Sequence, residues 1–186
     1  MCKRGIGTSI AAVLIMVFVA LGAHAGNPTA TAEFINQKGE TIGSAHLEQG
    51  PSGTLIRLSL DGLADKPGFH GIHIHEHGDC SDPDQGFMAS GGHLNPDGKK
   101  HGLMHPEGPD AGDFPNIYVH EGGMVRAELF TNYATLDGAV GARILDETGA
   151  ALVIHAHPDD HFTQPIGKAG PRIACGVIVP VLGADE

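Results

Sequence analysis

Basic side chains are scarce in this sequence: 11 Lys and Arg stand against 22 Asp and Glu, a formal charge of −11. A surface of that sign repels polyanions and argues against nucleic acid as a partner. The acidic residues are spread without long runs, so they do not form a disordered acidic tail. No Gly-rich phosphate loop and no G-x-S-x-G elbow occurs, which leaves nucleotide and hydrolase chemistry without support. Cysteine is rare as well, three in 186 residues, and shows no C-x-x-C spacing. No stretch sustains the 3.6-residue apolar period of a long amphipathic helix, and there is no internal repeat or low-complexity segment. A chain of this length suits one domain with a real core.

The first residues stand apart from that domain. Lys3 and Arg4 precede an apolar run from Ile10 to Leu21, and Ala23-His24-Ala25 supplies a small-x-small cleavage signal. The run is too short to span a membrane and reads as a secretory signal peptide over residues 1–25. Cys2 lies before the run, so no lipid-anchor site stands at the cut and no membrane anchor is expected after cleavage. Losing Lys3 and Arg4 leaves 9 basic against 22 acidic residues, a formal charge of −13. Cys80 and Cys175 remain. Export and an even count favour one disulfide over metal ligation by two distant thiols.

What the sequence has in abundance is histidine, 13 residues, concentrated in a few places. In His70-Gly71-Ile72-His73-Ile74-His75 a β-branched residue alternates with histidine, the pattern of a strand. His73 and His75 then share one face while Ile72 and Ile74 turn to the core. Two imidazoles on one strand face suit copper or zinc. Further short strands are expected at Thr29–Asn36, Ile42–Glu48, Thr54–Leu60, Ile117–His120, Met124–Phe130, Ala151–His155 and Ala174–Val181. Between them lie two long irregular stretches, 79–116 and 156–171, of a length that marks functional loops. This is an all-β chain, an antiparallel sandwich or Greek-key barrel over residues 26–186.

Four stretches join the histidine strand: Gly91-Gly92-His93-Leu94-Asn95-Pro96, Lys100-His101-Gly102, Asp110-Ala111-Gly112-Asp113 and Leu152-Val153-Ile154-His155. Arg172-Ile173-Ala174-Cys175-Gly176-Val177 closes the series. From about Phe69 to Val179 the ordered set resembles the copper/zinc superoxide dismutases. The resemblance implies an eight-stranded Greek-key sandwich with two long loops over the metals. It implies copper on His73, His75, His93 and His155, with His93 bridging to zinc. His101 and Asp113 match zinc ligands, Cys80 and Cys175 match the disulfide, and Arg172 matches the arginine that holds the superoxide anion. Asp159 matches a carboxylate that links a copper histidine to a zinc histidine.

One position departs from the family. Where it has a third zinc histidine this chain has Asp110, a competent but shorter ligand that adds negative charge; His105 is the alternative in the same loop. The leader implies an exported protein, periplasmic or extracellular, and the resemblance implies an enzyme that converts superoxide to oxygen and peroxide by alternate reduction and reoxidation of copper, with His93 carrying a proton. The alternatives are a non-enzymatic copper-binding or storage protein of the same fold, and a structural domain with a decayed site. His77, His157 and His161 read as solvated residues, His46 and His120 as surface residues, and His70 as structural. Lys168 is a candidate for adding positive charge near Arg172. The sequence does not distinguish a monomer from a homodimer.

Overall fold

The computed structural model describes Met1, residues 27–63 and residues 65–181. The leader expected over residues 1–25 lies, Met1 apart, outside the described residues. The strands are β1 (Thr29–Asn36), β2 (Thr41–Gly50), β3 (Gly53–Asp61), β4 (Gly68–His70), β5 (Ile72–His75) and β6 (Ile117–Val119). They continue with β7 (Met124–Thr131), β8 (Ala134–Thr135), β9 (Ala142–Arg143), β10 (Ala150–His155) and β11 (Arg172–Pro180). Among the described residues helix is limited to two single turns, Pro83–Gln85 and Met88–Ser90.

Seven strands form one antiparallel sheet in the order β5-β10-β11-β1-β2-β3-β7. The sheet curls on itself, because residues from both of its ends share a single core. Leu47, Ile56 and Val125 at one end meet Ile72, Ile74, Leu152 and Ile154 at the other, around Phe34 and Phe114. Alternation does this: β3 reads inward at Thr54, Ile56, Leu58 and Leu60 and outward at Arg57 and Ser59. The all-β Greek-key expectation holds.

Each of the eight expected strands has a counterpart, and three more appear. Two are the residue pairs β8 and β9, too short to leave a periodic signal. The third comes from the histidine strand, which breaks at Gly71. On its N-terminal side β4 pairs with β6, and beyond it β5 pairs with β10. Gly71 makes the corner, donating to His157 O and accepting from His155 N (both 2.9 Å).

A second apolar cluster lies on the outer face of the sheet. Phe87, Cys80, Ala151, Val153 and Cys175 pack there beneath the first long loop. Cys80 and Cys175 are disulfide-bonded, 95 residues apart in sequence. The alternative of two cysteine metal ligands is thereby set aside.

Candidate metal centre

β5 is an edge strand, and its free edge is covered by the first long loop. Glu76 N donates to Gly92 O (2.9 Å), Leu94 N to Ile74 O (2.8 Å) and Ile74 N to Gly112 O (2.9 Å). This ladder sets His93 beside His75 and Asp113 beside His73 as isolated bridges. Ile72 and Ile74 fill the core as expected, whereas His73 and His75 are equally buried, under the loops. β10 pairs with β5 and ends at His155, which brings the third strand-borne imidazole to the same face.

Each histidine commits one ring nitrogen and leaves the other free. His75 Nδ1 donates to Gly91 O (3.0 Å), and His155 Nδ1 to Gly170 O (2.9 Å). His73 Nε2 bonds Asp159 Oδ2 (2.9 Å), and His101 Nε2 bonds Asp159 Oδ1 (3.1 Å). The buried atoms left without hydrogen-bond partners include His73 Nδ1, His75 Nε2, His93 Nε2, His155 Nε2, His101 Nδ1 and Asp113 Oδ1. A buried polar atom with no partner is costly, so a set of them facing one another points to a ligand. His73, His75, His93 and His155 bring their donor atoms within 4.8 Å of one another. Four imidazoles with no carboxylate suit copper.

His93, His101, Asp110 and Asp113 make an adjoining set at the same spacing. Backbone amides occupy one oxygen of each carboxylate: Gly112 N bonds Asp110 Oδ1 (2.9 Å), and Gly102 N bonds Asp113 Oδ2 (2.7 Å). The other oxygens turn inward. Asp110 Oδ2 lies 3.0 Å from His93 Nδ1 and 3.9 Å from His101 Nδ1. Asp113 Oδ1 lies 3.6 Å and 2.6 Å from the same atoms. These separations straddle the edge of roughly 3.3 Å that a tetrahedron with zinc bonds of about 2.0 Å would have. Asp110 therefore reaches both imidazoles. His105 does not: its ring packs on Phe162, and its Nδ1 accepts from Glu107 N.

Electrostatics divides the two sets. Burial lowers His73 to about 4 against the pull of Asp159, lowers His155 to about 3, and holds His75 well below the ordinary 6.5. Those three imidazoles are neutral at pH 7 and can ligate without losing a proton. Burial also works to lower His101 and His93, but Asp113, Asp159 and Asp110 overrule it, raising His101 to about 10 and His93 above its usual value. The same pairs hold Asp113 and Asp159 well below the carboxylate range despite burial.

A cavity of about 450 Å³ opens onto the site, lined by His75, His93, Asp110, Lys99 and Arg172. Arg172 is clamped by the first loop: Nη1 donates to Phe87 O and to Ser90 Oγ (3.1 Å), and Nη2 to Gly91 O (2.6 Å). Burial pulls its pKa below the usual arginine value, and Asp82 opposes this. Lys168 does not line the cavity. It is exposed and pairs with Asp160 (3.3 Å), while among the described residues Lys99 makes no ion pair. Lys99 was missed in the sequence because a charged residue in a loop gives no sign of what it faces. The remaining histidines fall as expected, His77, His157, His46 and His120 exposed, and His70 buried with its ring nitrogens 2.7 Å from His155 O and 2.8 Å from Lys66 O. His161 is the exception, half-buried beside Asp159.

Comparison with known proteins agrees with this geometry. The family described as copper/zinc superoxide dismutase (SODC) matches residues 41–178. Superoxide dismutase [Cu-Zn] 2 of Aquifex aeolicus (strain VF5) is 49% identical over 149 residues, 80% of this chain and 85% of that one. Superoxide dismutase [Cu-Zn] of Caulobacter vibrioides is 43% identical over 152 residues, 81% of this chain and 85% of that one. Among solved structures, a SOD-like protein from Bacillus subtilis superposes with a TM-score of 0.73 at 35% identity, covering 80% of this chain and 97% of that one. The chain belongs to the copper/zinc superoxide dismutase family.

Proposed function

We propose that this protein is a superoxide dismutase that holds copper on His73, His75, His93 and His155 and zinc on His93, His101, Asp110 and Asp113. The observation that carries the assignment is the convergence of free ring nitrogens, each left free because its partner nitrogen is tied to a fixed acceptor or carboxylate. When bound, copper supplies the one-electron chemistry by which two superoxide anions and two protons become oxygen and hydrogen peroxide.

The chain's own residues supply the rest. His93 presents Nε2 to the imidazole set and Nδ1 to the two carboxylates, so its Nε2 is the atom placed to take a proton and return it. Arg172, fixed at the cavity wall, offers a permanent positive charge to an anion that the protein as a whole repels. That cation beside an open cavity favours the enzyme over a copper store. The apolar leader and the disulfide support export to an oxidising compartment, with residues 26–186 as one domain.

The direct test is elemental mass spectrometry of the copper- and zinc-loaded protein alongside its dismutase activity. About one of each metal per chain with high activity is expected; firmly held copper without activity would leave a copper-binding protein instead.

Lys99 should act on encounter rather than on chemistry. Lys99→Ala is expected to lower kcat/KM for superoxide roughly two- to fivefold at low ionic strength, with the difference vanishing as salt screens the field. An equal loss at all salt concentrations would refute a steering role.

Proton counts should separate the two metals. At pH 7 the metal-free protein holds an extra proton on His101, raised to about 10 by its carboxylates, and none on the free nitrogens of His73, His75 and His155. Zinc binding is therefore expected to release at least one proton, from His101, whereas His73, His75 and His155 give up none to copper and leave His93 Nε2 as the one source of a proton there. Calorimetric heats in buffers of different ionisation enthalpy give both counts, and zinc binding without proton release, or more than one proton released to copper, would contradict this reading.

A further inference from the structure

Asp159 receives four approaches, and two of them come from one residue outside the proposed ligands. His73 Nε2 and His101 Nε2 hold its two oxygens, His161 N donates to Oδ1 (2.6 Å), and the His161 ring places Nδ1 3.6 Å from Oδ2. That Nδ1 is buried and has no hydrogen-bond partner.

The tautomer of His161 follows from Asn116. Asn116 pairs with the backbone of Asp159 in both directions, Oδ1 accepting from Asp159 N (2.8 Å) and Nδ2 donating to Asp159 O (2.9 Å). This fixes which end of the amide is nitrogen. The second hydrogen of Nδ2 points to His161 Nε2 at 3.2 Å, so Nε2 accepts. With Nε2 accepting, the ring proton sits on Nδ1, 3.6 Å from Asp159 Oδ2.

We propose that His161 is a positioning residue for the metal pair: its Nδ1–H, with the tautomer set by Asn116, stands against the Asp159 carboxylate and by its charge attraction steadies it between His73 and His101. The proposal rests on reading Asp159 as the link between the copper and zinc sets. Fixing that carboxylate fixes two imidazoles at once, one in each set. Outer partners of ligating histidines are worth about 10–100-fold in metal affinity, and a residue one contact further out should fall at or below the low end.

The backbone supplies the controls. His161 has φ 59°, a left-handed conformation that glycine and asparagine tolerate and bulky residues do not. His161→Gly removes the ring without backbone strain. His161→Asn restores an N–H at the same reach from the backbone as Nδ1. Both keep the amide bond to Oδ1. Zinc release from the copper- and zinc-loaded protein is followed with a chromophoric chelator, and the Cu(II) electron paramagnetic resonance spectrum is recorded on the same samples. His161→Gly is expected to release zinc roughly fivefold faster and to alter the copper spectrum, and His161→Asn to stay within about twofold of the parent with its spectrum unchanged. If glycine and asparagine behave alike, whether both fast or both slow, the ring nitrogen has no positioning role and the proposal falls. Asp159→Asn, run beside them, isolates the premise. Should it change neither zinc release nor spectrum, the reading of Asp159 fails; should it change both while His161→Gly changes neither, the reading stands and only the proposal is overturned.

Discussion

Gly167→Ala is expected to destabilise the protein by roughly 3 kcal/mol and to loosen zinc at least tenfold, although Gly167 contributes no side chain to the site. The residue has φ 58°, where an L side chain already costs about 1–2 kcal/mol. A Cβ at this position would collide with Asp159 Oδ1 and stand 2.9 Å from His101 Nε2. The carboxylate cannot step aside cheaply, because His73, His101 and the His161 amide all hold it. Nor is the backbone free, since Gly167 N bonds Thr163 O (2.6 Å) and Gly167 O accepts from Asp160 N (2.8 Å). The alanine therefore costs overpacking as well as strain, and it strikes the carboxylate that bonds both His73 and His101.

Gly86→Ala separates the two costs. Gly86 has φ 78°, and no atom lies within 4 Å of the place its methyl group would take, so it carries the strain without the collision. Thermal unfolding of the two variants should differ, with Gly167→Ala lower by roughly 10 °C than the parent and Gly86→Ala by less than half of that. Equal losses would mean that the left-handed backbone alone accounts for Gly167.

Gly167 also marks the limit of what could be read from the sequence. Strands were legible wherever one face is buried and the other wet, as in Ile56-Arg57-Leu58-Ser59-Leu60, because burial leaves a period of two. The break at Gly71 was not, since it arises from pairing with different partners on either side, a tertiary fact. The proposed ligands were legible because an ordered set of short motifs carries them, and the structure brings all of them together, Asp110 included. Asn116, His161, Gly167 and Lys99 were not legible in their roles. Each acts through a contact between the two long loops, or across the cavity, and no local pattern announces such a contact. Lys168, judged by nearness in sequence to Arg172, shows the converse: four residues along a loop turned it toward Asp160 instead.

The disulfide provides the other large effect, and it should reach activity as well as stability. Its loop of 95 residues implies about 4–5 kcal/mol on the chain-entropy account, so Cys80→Ser with Cys175→Ser should lower the melting temperature by roughly 10–15 °C. The position of the bridge predicts more than this. It ties the first long loop to β11 three residues beyond Arg172, and the same loop presents the Phe87, Ser90 and Gly91 oxygens that clamp the guanidinium. Gly91 O also accepts from His75 Nδ1, so one loop segment orients a proposed copper ligand and the proposed anion-binding cation together. Phe87, wholly buried beside both cysteines, is what holds that segment down once the bridge is gone. At a temperature where both proteins are fully folded, the double serine variant is therefore expected to lose about tenfold in kcat/KM for superoxide and to bind copper more weakly. Dismutase assays and copper competition titrations well below the lower melting temperature check this. Full activity in the folded, bridge-free protein would show that Phe87 and the loop's backbone bonds suffice, and that the disulfide acts on the unfolded chain alone.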